Sequence, residues 1–456
     1  MPKRLLVIQV AGLGYDFLVR HRGEKWAGLR WRPAESVFPA VTCTVQASFR
    51  TASPPSKHGM VSNGVWSREL RRPVFWEQSS ALVEGPRIWE GLGPFGVPPS
   101  GGLGAPEDER EDRLKAGLQT KSVGLLFWQQ SLGEDVDVLL SPAPIHKHHG
   151  GMIEDVYSRP AGLYQELVRR IGKRFKLRSY WGPLASWTST RWIIAATAEV
   201  MTMPEIAPDL LLTYLPHLDY MFLRYGPTSR RAKWVTLPLW VELPELVAKA
   251  RSAGYEVVVF GDYAFTDVQR PAYPNRLLRE KGLFAVRDVR GHLYPDFHYS
   301  RAFAVVDHEV AHVYLRDRAD AAQVAEAFLE MDGVDEVLTG EAIAEAGIGH
   351  ANSGEVVLVA DEGAWFAYPW WHGRSEQPDY ATHVDIHNKP GFDPCELFLG
   401  WPPPFAVSTD PTRVNGSHGK VGKGREVAWA TTLDLASEPT TLIALAEVVK
   451  SVMHNP

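Results

Sequence analysis

The stretch FPAVTCTVQASF, residues 38–49, mixes hydroxyl groups with large apolar side chains in an unusual way. A buried strand would not favour so many hydroxyls, and an exposed loop would not favour so much Val, Ala and Phe. The segment is either a core helix whose polar groups are paired, or a place where one hydroxyl does chemistry. In the first case Thr42 satisfies a backbone donor, which is a common role for a threonine at the start of a helix.

Imidazole and carboxylate side chains cluster in several short segments, and these are the ligands of zinc and similar metals. A hydrogen-bonded structural histidine is the alternative for each histidine, and Asp219 could instead cap a helix. The alternation of His383, Asp385 and His387 would place three ligands on one face of an extended strand. The segments are HLDY with His217 and Asp219, FGDYAF with Asp262, VVDHEVAH with Asp307, His308 and His312, ATHVDIHNKPGFDP with Asp393, and NGSHGK with His418.

Continuous apolar runs predict the strands that must position these side chains. The runs are typical of strands buried on both faces, as in a parallel sheet, and helical patterns such as 237–254 lie between them. Strand alternating with helix predicts an α/β fold with a mostly parallel central sheet flanked by helices. Since chemistry gathers at the carboxyl ends of such strands, Asp219 and Asp262 are favourably placed. The predicted strands are 5–10, 123–128, 210–219, 256–265 and 302–315.

Residues 317–348 break the alternation, with a helical pattern, a short strand-like EVL and a second short helix. We therefore predict an α/β core over 1–300 and 350–456 and a small α+β insert over 301–349. Residues 97–122 read as a turn cluster followed by a charged surface helix. Residues 361–404, rich in Trp, His, Asp and Pro, are expected to form long loops over a site.

Composition excludes several classes of protein. The net charge of −6 over 456 residues argues against a nucleic-acid polymer as partner, and two cysteines, Cys43 and Cys395, exclude a disulfide framework. The apolar start MPKRLLVIQV resembles a signal peptide but is short and lacks the usual cleavage site, so we interpret it as a first strand. No apolar run approaches the ~20 residues needed to cross a bilayer, so we expect a cytoplasmic protein with no membrane association.

The order of these motifs resembles the alkaline phosphatase superfamily, and specifically its type I phosphodiesterase/nucleotide pyrophosphatase branch. The segments with this resemblance, spread over most of the chain, are FPAVTCTVQASFRTASPPSKHGMVSNG (38–64), YLPHLDYMFLRYGP (214–227), VVVFGDYAF (257–265) and NGSHGK (415–420). In that family a Thr or Ser a little before a Thr-Gly-x-x-Pro-x-x-His-Gly stretch is the nucleophile, and counting back from His58-Gly59 gives Thr42 rather than Thr44. The resemblance implies that this nucleophile precedes a helix whose N-terminus faces a phosphoryl group.

The family mechanism that the resemblance implies uses two divalent ions and a covalent phospho-threonine. Its ligand set would include Asp219, Asp262 and His418, but three positions depart from it: Ala11 replaces an Asp, and Leu223 and Tyr263 replace histidines. The chain is therefore similar to a divergent subgroup that lacks some metal ligands. We expect one or two divalent ions, with zinc as the first candidate.

Two explanations of these departures remain open. In the first, other residues complete a metal site, with His387 as the fourth predicted ligand and Asp385 or His217 as further choices. The protein is then a metal-dependent phosphoric ester hydrolase that acts through Thr42 on a small phosphorylated metabolite or nucleotide. In the second, the chain binds a phosphorylated small molecule without turnover. The roles of His308 and His312, in the site or in the sheet, stay open. Possible substrate contacts are Arg224, Lys389, Lys420 and the aromatic residues of 181–192, although core packing and solvent exposure are the simpler roles.

Overall fold

A computed structural model of the protein describes residues 4–92, 121–148, 151–404 and 406–454. Its strands in chain order are β1 (Arg4–Val10), β2 (Lys25–Trp26), β3 (Leu29–Ala34), β4 (Gly64–Ser67), β5 (Arg72–Phe75), β6 (Val123–Leu126), β7 (Val138–Pro142), β8 (Ile145–His146), β9 (Met152–Ile153), β10 (Val156–Arg159), β11 (Leu210–Leu215), β12 (Tyr255–Gly261), β13 (Thr266–Asp267), β14 (Arg270–Ala272), β15 (Val286–Val289), β16 (His292–Pro295), β17 (Ala302–Asp307), β18 (Val310–Leu315), β19 (Val334–Thr339), β20 (Val356–Ala360), β21 (Ala364–Phe366), β22 (Gly416–Ser417) and β23 (Val427–Thr431). The charged helix predicted within 97–122 falls almost wholly outside the described residues.

Along the chain, the helices mainly connect strands of the larger sheet. In chain order they are α1 (Tyr15–Arg22), α2 (Thr42–Thr51), α3 (Pro55–His58), α4 (Leu163–Ile171), α5 (Trp187–Thr202), α6 (His217–Tyr225), α7 (Arg230–Val235), α8 (Leu237–Ser252), α9 (Pro274–Glu280), α10 (Ala321–Leu329), α11 (Glu341–Glu345) and α12 (Leu442–His454). None of the helices described is both long enough and apolar enough to cross a membrane.

The main sheet has nine strands in the order β10-β7-β6-β11-β1-β12-β23-β3-β2. The five strands from β7 to β12 run parallel, and antiparallel strands extend the sheet on both sides. Strand β1 shows why the centre is parallel: Leu5 to Val10 are all buried, so both of its faces are covered. The predicted α/β class, with a mostly parallel sheet flanked by helices, is confirmed.

One predicted strand ends earlier than its apolar run suggested. Residues 210–219 form a strand only to Leu215, and Pro216 then leads into α6. His217 and Asp219 therefore lie in the first turn of a helix rather than on one face of a strand, which is a correction to the sequence-based prediction. The cause is the proline, which favours the start of a helix and cannot donate to a sheet.

A second, four-stranded antiparallel sheet has the order β17-β18-β20-β19. The predicted strand 302–315 is in fact a hairpin, in which β17 and β18 pair from Ala302 with Leu315 to Asp307 with Val310. This sheet also includes β20, which lies outside the insert predicted over 301–349, and the proposed division into domains stays a prediction. The segment 361–404 is largely turns and short 3₁₀ helices, as expected of loops that cover a site.

Candidate active site

The carboxyl ends of three neighbouring strands define the site. Strand β1 ends at Val10, β11 leads into the turn before Asp219, and β12 ends immediately before Asp262. Because β11 and β12 both pair with β1 in parallel, these ends lie at the same edge of the sheet. Asp219 and Asp262 thus lie at the carboxyl edge of the parallel strands, where functional polar groups gather in sheets of this class.

Helix α2 resolves the opening question about its hydroxyl-rich sequence. Every residue from Thr42 to Thr51 is buried, so most of its polar side chains need partners within the protein. Ser48 Oγ lies 2.8 Å from His58 Nε2, and the Gln46 side chain accepts a hydrogen bond from the Gln129 N–H. Arg50 donates to two backbone carbonyls and to Glu134, which fixes the helix.

Thr42, the first residue of α2, faces the strand ends. Its Oγ1 lies 3.1 Å from the hydroxyl oxygen of Tyr263, and that hydroxyl donates to Asp219 Oδ1 over 3.1 Å. The phenol has one proton and donates it to Asp219. The Thr42 hydroxyl is therefore the donor in its hydrogen bond to the Tyr263 oxygen. The structure thus joins Thr42 to Asp219 through one side chain.

Asp219, His308 and His418 form a buried cluster with the spacing of a metal site. One ligand atom from each lies within 4.8 Å of the others, and His418 Nε2 is 3.5 Å from Asp219 Oδ1. The Nε2 atoms of both histidines are buried and have no hydrogen-bond partner among the described residues. Since buried polar atoms are normally paired, two such nitrogens beside a carboxylate fit a divalent cation. Two imidazoles and one carboxylate also leave a coordination position open, as in catalytic zinc sites.

The other ring nitrogen of each histidine is held by a partner that fixes the ring. His418 Nδ1 lies 2.7 Å from the Ala40 carbonyl oxygen, and His308 Nδ1 lies 2.8 Å from Asp307 Oδ1. A backbone carbonyl or a carboxylate on Nδ1 orients the opposite nitrogen toward a metal. Burial and the neighbouring His308 lower the pKa of His418 to about 4, which keeps its ring neutral.

Asp307 is itself tied to the helix that carries Thr42. It accepts hydrogen bonds from the Ser62 hydroxyl and from the backbone and side-chain amides of Asn63, whose side-chain oxygen accepts the Cys43 N–H. Burial alone would raise the pKa of Asp307, but the bonds from His308, Asn63 and Ser62 hold that pKa below its ordinary value. The carboxylate therefore stays charged and orients His308.

His308 occupies a backbone conformation that is unusual for a residue with a side chain. Its φ is 60°, in the left-handed region, at the turn between β17 and β18. The Glu309 N–H donates to the His418 carbonyl oxygen at 3.0 Å, which brings this turn against the loop of the other imidazole. Strained residues of this kind cluster at functional sites, where surrounding contacts hold them.

Tyr263 lies flat on the second imidazole of the cluster. Its ring is stacked on His418 with centroids 3.5 Å apart and an interplanar angle of 1°. Burial, together with Asp219 and Asp262, raises the pKa of the phenol well above its ordinary value, so it remains a donor. From the sequence, Tyr263 is only the residue at a position where a histidine ligand is expected, because a tyrosine after an aspartate does not by itself indicate a catalytic role.

Asp262, a predicted metal ligand, lies outside the cluster of Asp219, His308 and His418. Its two oxygens accept hydrogen bonds from Gln9 Nε2, the Gly12 N–H and the Tyr263 N–H. Burial is the main influence on this carboxyl group and raises its pKa to about 8. The structure gives Asp262 the role of holding the first-strand loop against the end of β12.

His387 and Asp385 also lie outside the cluster, because their segment forms turns, as expected of 361–404, and not the extended strand that would have aligned them with His383. His387 is exposed and its Nδ1 lies 3.1 Å from the Phe75 carbonyl oxygen, while Asp385 bonds Asn388. His217 Nε2 lies 2.8 Å from the Val235 carbonyl oxygen, and His312 Nε2 lies 3.1 Å from that of Val61. The last two are buried histidines of the scaffold.

The three basic residues considered for substrate contacts make bonds within the protein. Lys389 is buried in an ion-pair cluster with Asp393 and Glu396, at 2.7 and 2.8 Å. Arg224 donates to four backbone carbonyls, and Lys420 Nζ donates to the Ala360 carbonyl oxygen. Within the described residues, these cations organise loops around the site.

Two buried histidines away from the cluster make stability sensitive to acid. Burial lowers the pKa of His58 to about 3 and that of His312 to about 4, whereas both are near 6.5 in an unfolded chain. Stability is fully present above pH 6.5 and is lost as the pH falls toward 4, because the unfolded chain binds the extra protons. We expect urea unfolding to lose about 3 kcal/mol per pH unit from this pair over that range, and His312→Gln to halve that contribution. A slope unchanged by His312→Gln would contradict the assignment.

Comparison with known proteins identifies the family to which the chain belongs. Residues 22–393 match the family model described as type I phosphodiesterase / nucleotide pyrophosphatase. No curated protein is significantly similar to the chain in sequence. The predicted resemblance is thereby confirmed over most of the chain.

Two solved structures illustrate the similarity in fold. Phosphonoacetate hydrolase from Sinorhizobium meliloti, in complex with phosphonoacetate, is 16% identical with a TM-score of 0.58, and 99% of this chain and 96% of that chain are covered. An inactive threonine-to-alanine variant of murine ectonucleotide pyrophosphatase / phosphodiesterase 5, in complex with AMP, is 15% identical with a TM-score of 0.59, over 99% of this chain and 95% of that chain. The chain belongs to the type I phosphodiesterase / nucleotide pyrophosphatase family.

Proposed function

We propose that the protein is a metal-dependent phosphoric ester hydrolase with Thr42 as nucleophile and one divalent cation, zinc, held by Asp219, His308 and His418. The observation that supports it most directly is the pair of buried, unpartnered Nε2 atoms beside Asp219. One cation would satisfy both nitrogens, because one ligand atom from each of the three residues lies within 4.8 Å of the others. Two of the predicted ligands, Asp219 and His418, belong to this proposal, and His308 takes the place proposed from sequence for His387.

The single cation follows from the groups that surround Thr42. The phenol of Tyr263 lies between Thr42 and Asp219, and the carboxyl group of Asp262 accepts hydrogen bonds from three N–H donors. Little ligand capacity remains there for a second ion. A bound divalent ion would supply positive charge to a phosphoryl oxygen at the open coordination position.

The residues of the chain itself supply the nucleophile and its proton route. Thr42 Oγ1 attacks phosphorus and the ester oxygen leaves with a proton from water, which gives phospho-Thr42 and an alcohol. During the attack the Thr42 proton passes to the Tyr263 oxygen as the phenol proton passes to Asp219 Oδ1. The hydroxide left by that water then attacks phospho-Thr42, and the proton on Asp219 Oδ1 returns through Tyr263 to Thr42 Oγ1 as the phosphate leaves. The helix dipole of α2 favours the negative charge that develops beside its first residue.

An aromatic wall beside His308 supports a substrate with a flat group, such as a nucleotide. The Phe392 ring is stacked on His308 at 3.9 Å, and Trp181 and Trp76 pack against Phe392 with centroids 5.8 and 6.2 Å apart. Both tryptophans are only partly buried, so part of each remains accessible. Aromatic faces of this kind stack on planar rings. The relatives bound to AMP and to phosphonoacetate are consistent with a small phosphorylated or phosphonylated ligand.

The alternative is a protein that binds a phosphorylated small molecule without turnover, and Ala11 and Leu223 at expected ligand positions favour it. Elemental analysis of tag-free protein, followed by assays with a nucleotide phosphodiester and an aryl phosphate, separates the two functions. We expect about one zinc per chain and turnover of at least one of these esters. Metal-free protein with no turnover after metal is added back would establish the alternative.

Tyr263→Phe tests the proton route. The phenyl ring keeps the stack on His418 but removes the oxygen that joins Thr42 to Asp219. We expect kcat to fall about 100-fold, within the range for general acid–base groups, with unchanged KM and metal content. Tyr255→Phe is the control, since its hydroxyl bonds the Pro208 carbonyl oxygen. Equal activity of the two variants would limit Tyr263 to packing.

A further inference from the structure

A second cavity lies at the open end of the β17–β18 hairpin, away from the candidate active site. It has a volume of about 200 Å³, and its lining includes Arg68, Arg71, Arg301 and Arg316 together with the aromatic residues Trp66 and Tyr314. Strand β17 runs from Ala302 in this cavity to Asp307 beside His308. Six residues of extended chain separate the two places by about 17 Å, so a small molecule could not occupy both.

Four arginines surround the cavity with fewer carboxylates to neutralise them. Arg68 pairs with Glu355 at 2.9 Å and Arg301 pairs with Asp320 at 2.8 Å. In the part of the chain that the structure describes, Arg71 and Arg316 have no ion-pair partner. The cavity is therefore a place of excess positive charge on a protein whose net charge is −6.

Arg71 contributes an unused donor to this charge. Its Nη2 donates to the Phe297 carbonyl oxygen at 3.2 Å, but its Nε is buried and has no partner among the described residues. Guanidinium groups present several donors in one plane and match the oxygens of a phosphate, phosphonate or carboxylate. A buried, unsatisfied N–H beside a cavity is a group that a ligand oxygen would satisfy.

The cavity lining also contains aromatic side chains. Trp66 packs against Phe297, Phe303 and Tyr314 with ring centroids 5.4 to 5.9 Å apart. The Arg68 guanidinium already lies over the Tyr314 ring, 5.5 Å from its centroid. A lining that contains both cations and aromatic rings favours a small molecule that combines an oxyanion with a flat ring.

We infer that this cavity, which we call the arginine pocket, is a second ligand site for a small aromatic oxyanion, distinct from the site at Thr42. The volume is below the range typical of drug-sized ligands, so the occupant is a compact ring acid rather than a whole dinucleotide. Phosphonate and carboxylate share the recognition chemistry, and the choice of probe separates them.

Isothermal titration calorimetry with phenylphosphonate on the full chain tests the inference. Arg316→Glu reverses a charge on an exposed side chain of the pocket, so the fold should be kept. Arg72→Glu is the matched control, because Arg72 is exposed in the adjacent hairpin, outside the pocket lining, and the net-charge change is the same. We expect at least a ten-fold loss of affinity in Arg316→Glu and no loss in Arg72→Glu.

Two further variants separate this site from the proposed active site. Arg71→Gln should weaken binding in the same way as Arg316→Glu, because it removes the unused Nε donor. His308→Ala should leave this binding intact whether or not the protein hydrolyses esters, so failure of the proposed function would not affect the result. Equal affinity in Arg316→Glu and Arg72→Glu, or loss of all binding in His308→Ala, would overturn the inference. Titrations with benzoate and with methylphosphonate then show whether the pocket needs the phosphonate or the ring.

Discussion

Replacement of His308 by alanine is expected to remove the metal ion and more than about 100-fold of the hydrolytic activity. The imidazole supplies one of three ligand atoms that lie within 4.8 Å of one another, and Asp307 holds its ring in place. Loss of a partner that only orients a ligand typically costs 10–100-fold, so loss of the ligand itself should cost more. Elemental analysis measures the loss of metal, and the turnover of a phosphate ester that the wild type hydrolyses, assayed on the same preparation, measures the loss of activity.

His387→Ala is the control for this experiment. His387 was the ligand predicted from sequence, but its ring is exposed and bonds the Phe75 carbonyl oxygen. We expect this variant to keep its zinc and most of its activity. If His387→Ala lost the metal while His308→Ala kept it, the cluster of Asp219, His308 and His418 would not be the metal site.

Thr42→Ala should lower kcat by about four orders of magnitude or more, as deletion of a covalent nucleophile does in other hydrolases. The proposed metal ligands are untouched, so the metal content should stay at the wild-type value. Thr42→Ser keeps a hydroxyl at the N-terminus of α2 and should retain measurable turnover. Single-turnover kinetics, with a search for phospho-threonine after acid quench, would show whether the covalent step is lost.

Thr44→Ala provides a matched control in the same turn of helix. Thr44 is buried, and its hydroxyl has no hydrogen-bond partner among the described residues, so its removal should cost little stability or activity. A Thr42→Ala variant as active as Thr44→Ala would exclude Thr42 as the nucleophile. Thr42 would then serve only as a hydrogen-bond donor to Tyr263.

The sequence predicts the scaffold of the site well because its signals are local. The apolar runs of β1, β11 and β12 are continuous, and parallel strands bring their carboxyl ends together whatever lies between them in the chain. Thr42 and Asp219 could therefore be placed near the same edge from pattern and resemblance alone. The strand that seemed to continue to Asp219 ends at Leu215, because the helix start at Pro216 outweighs the apolar pattern.

The role of His308 depends on contacts that no local pattern reports. Its neighbours Asp307 and Glu309 reach Asn63 and the His418 loop, which are distant in sequence. The positive φ of His308 is likewise set by the turn between β17 and β18, since a histidine by itself gives little indication of that conformation. The ligand-rich segment around His387 shows the converse: its Lys389, Asp393 and Glu396 pair with one another instead of meeting a metal.

With the proposed cation bound, the position of His308 in the smaller sheet would make the stability of the contact between the two sheets depend on metal concentration. Asp219 follows a strand of the nine-stranded sheet, whereas His308 belongs to the turn of the four-stranded sheet. An ion bound by both lowers the free energy only of the state in which the two sheets are docked. By mass action, free metal at 1,000 times its dissociation constant would add about 4 kcal/mol to that state. The cation would then act as a cross-link between the sheets, and the abundance of metal in the cell would set how firmly the proposed catalytic site is assembled.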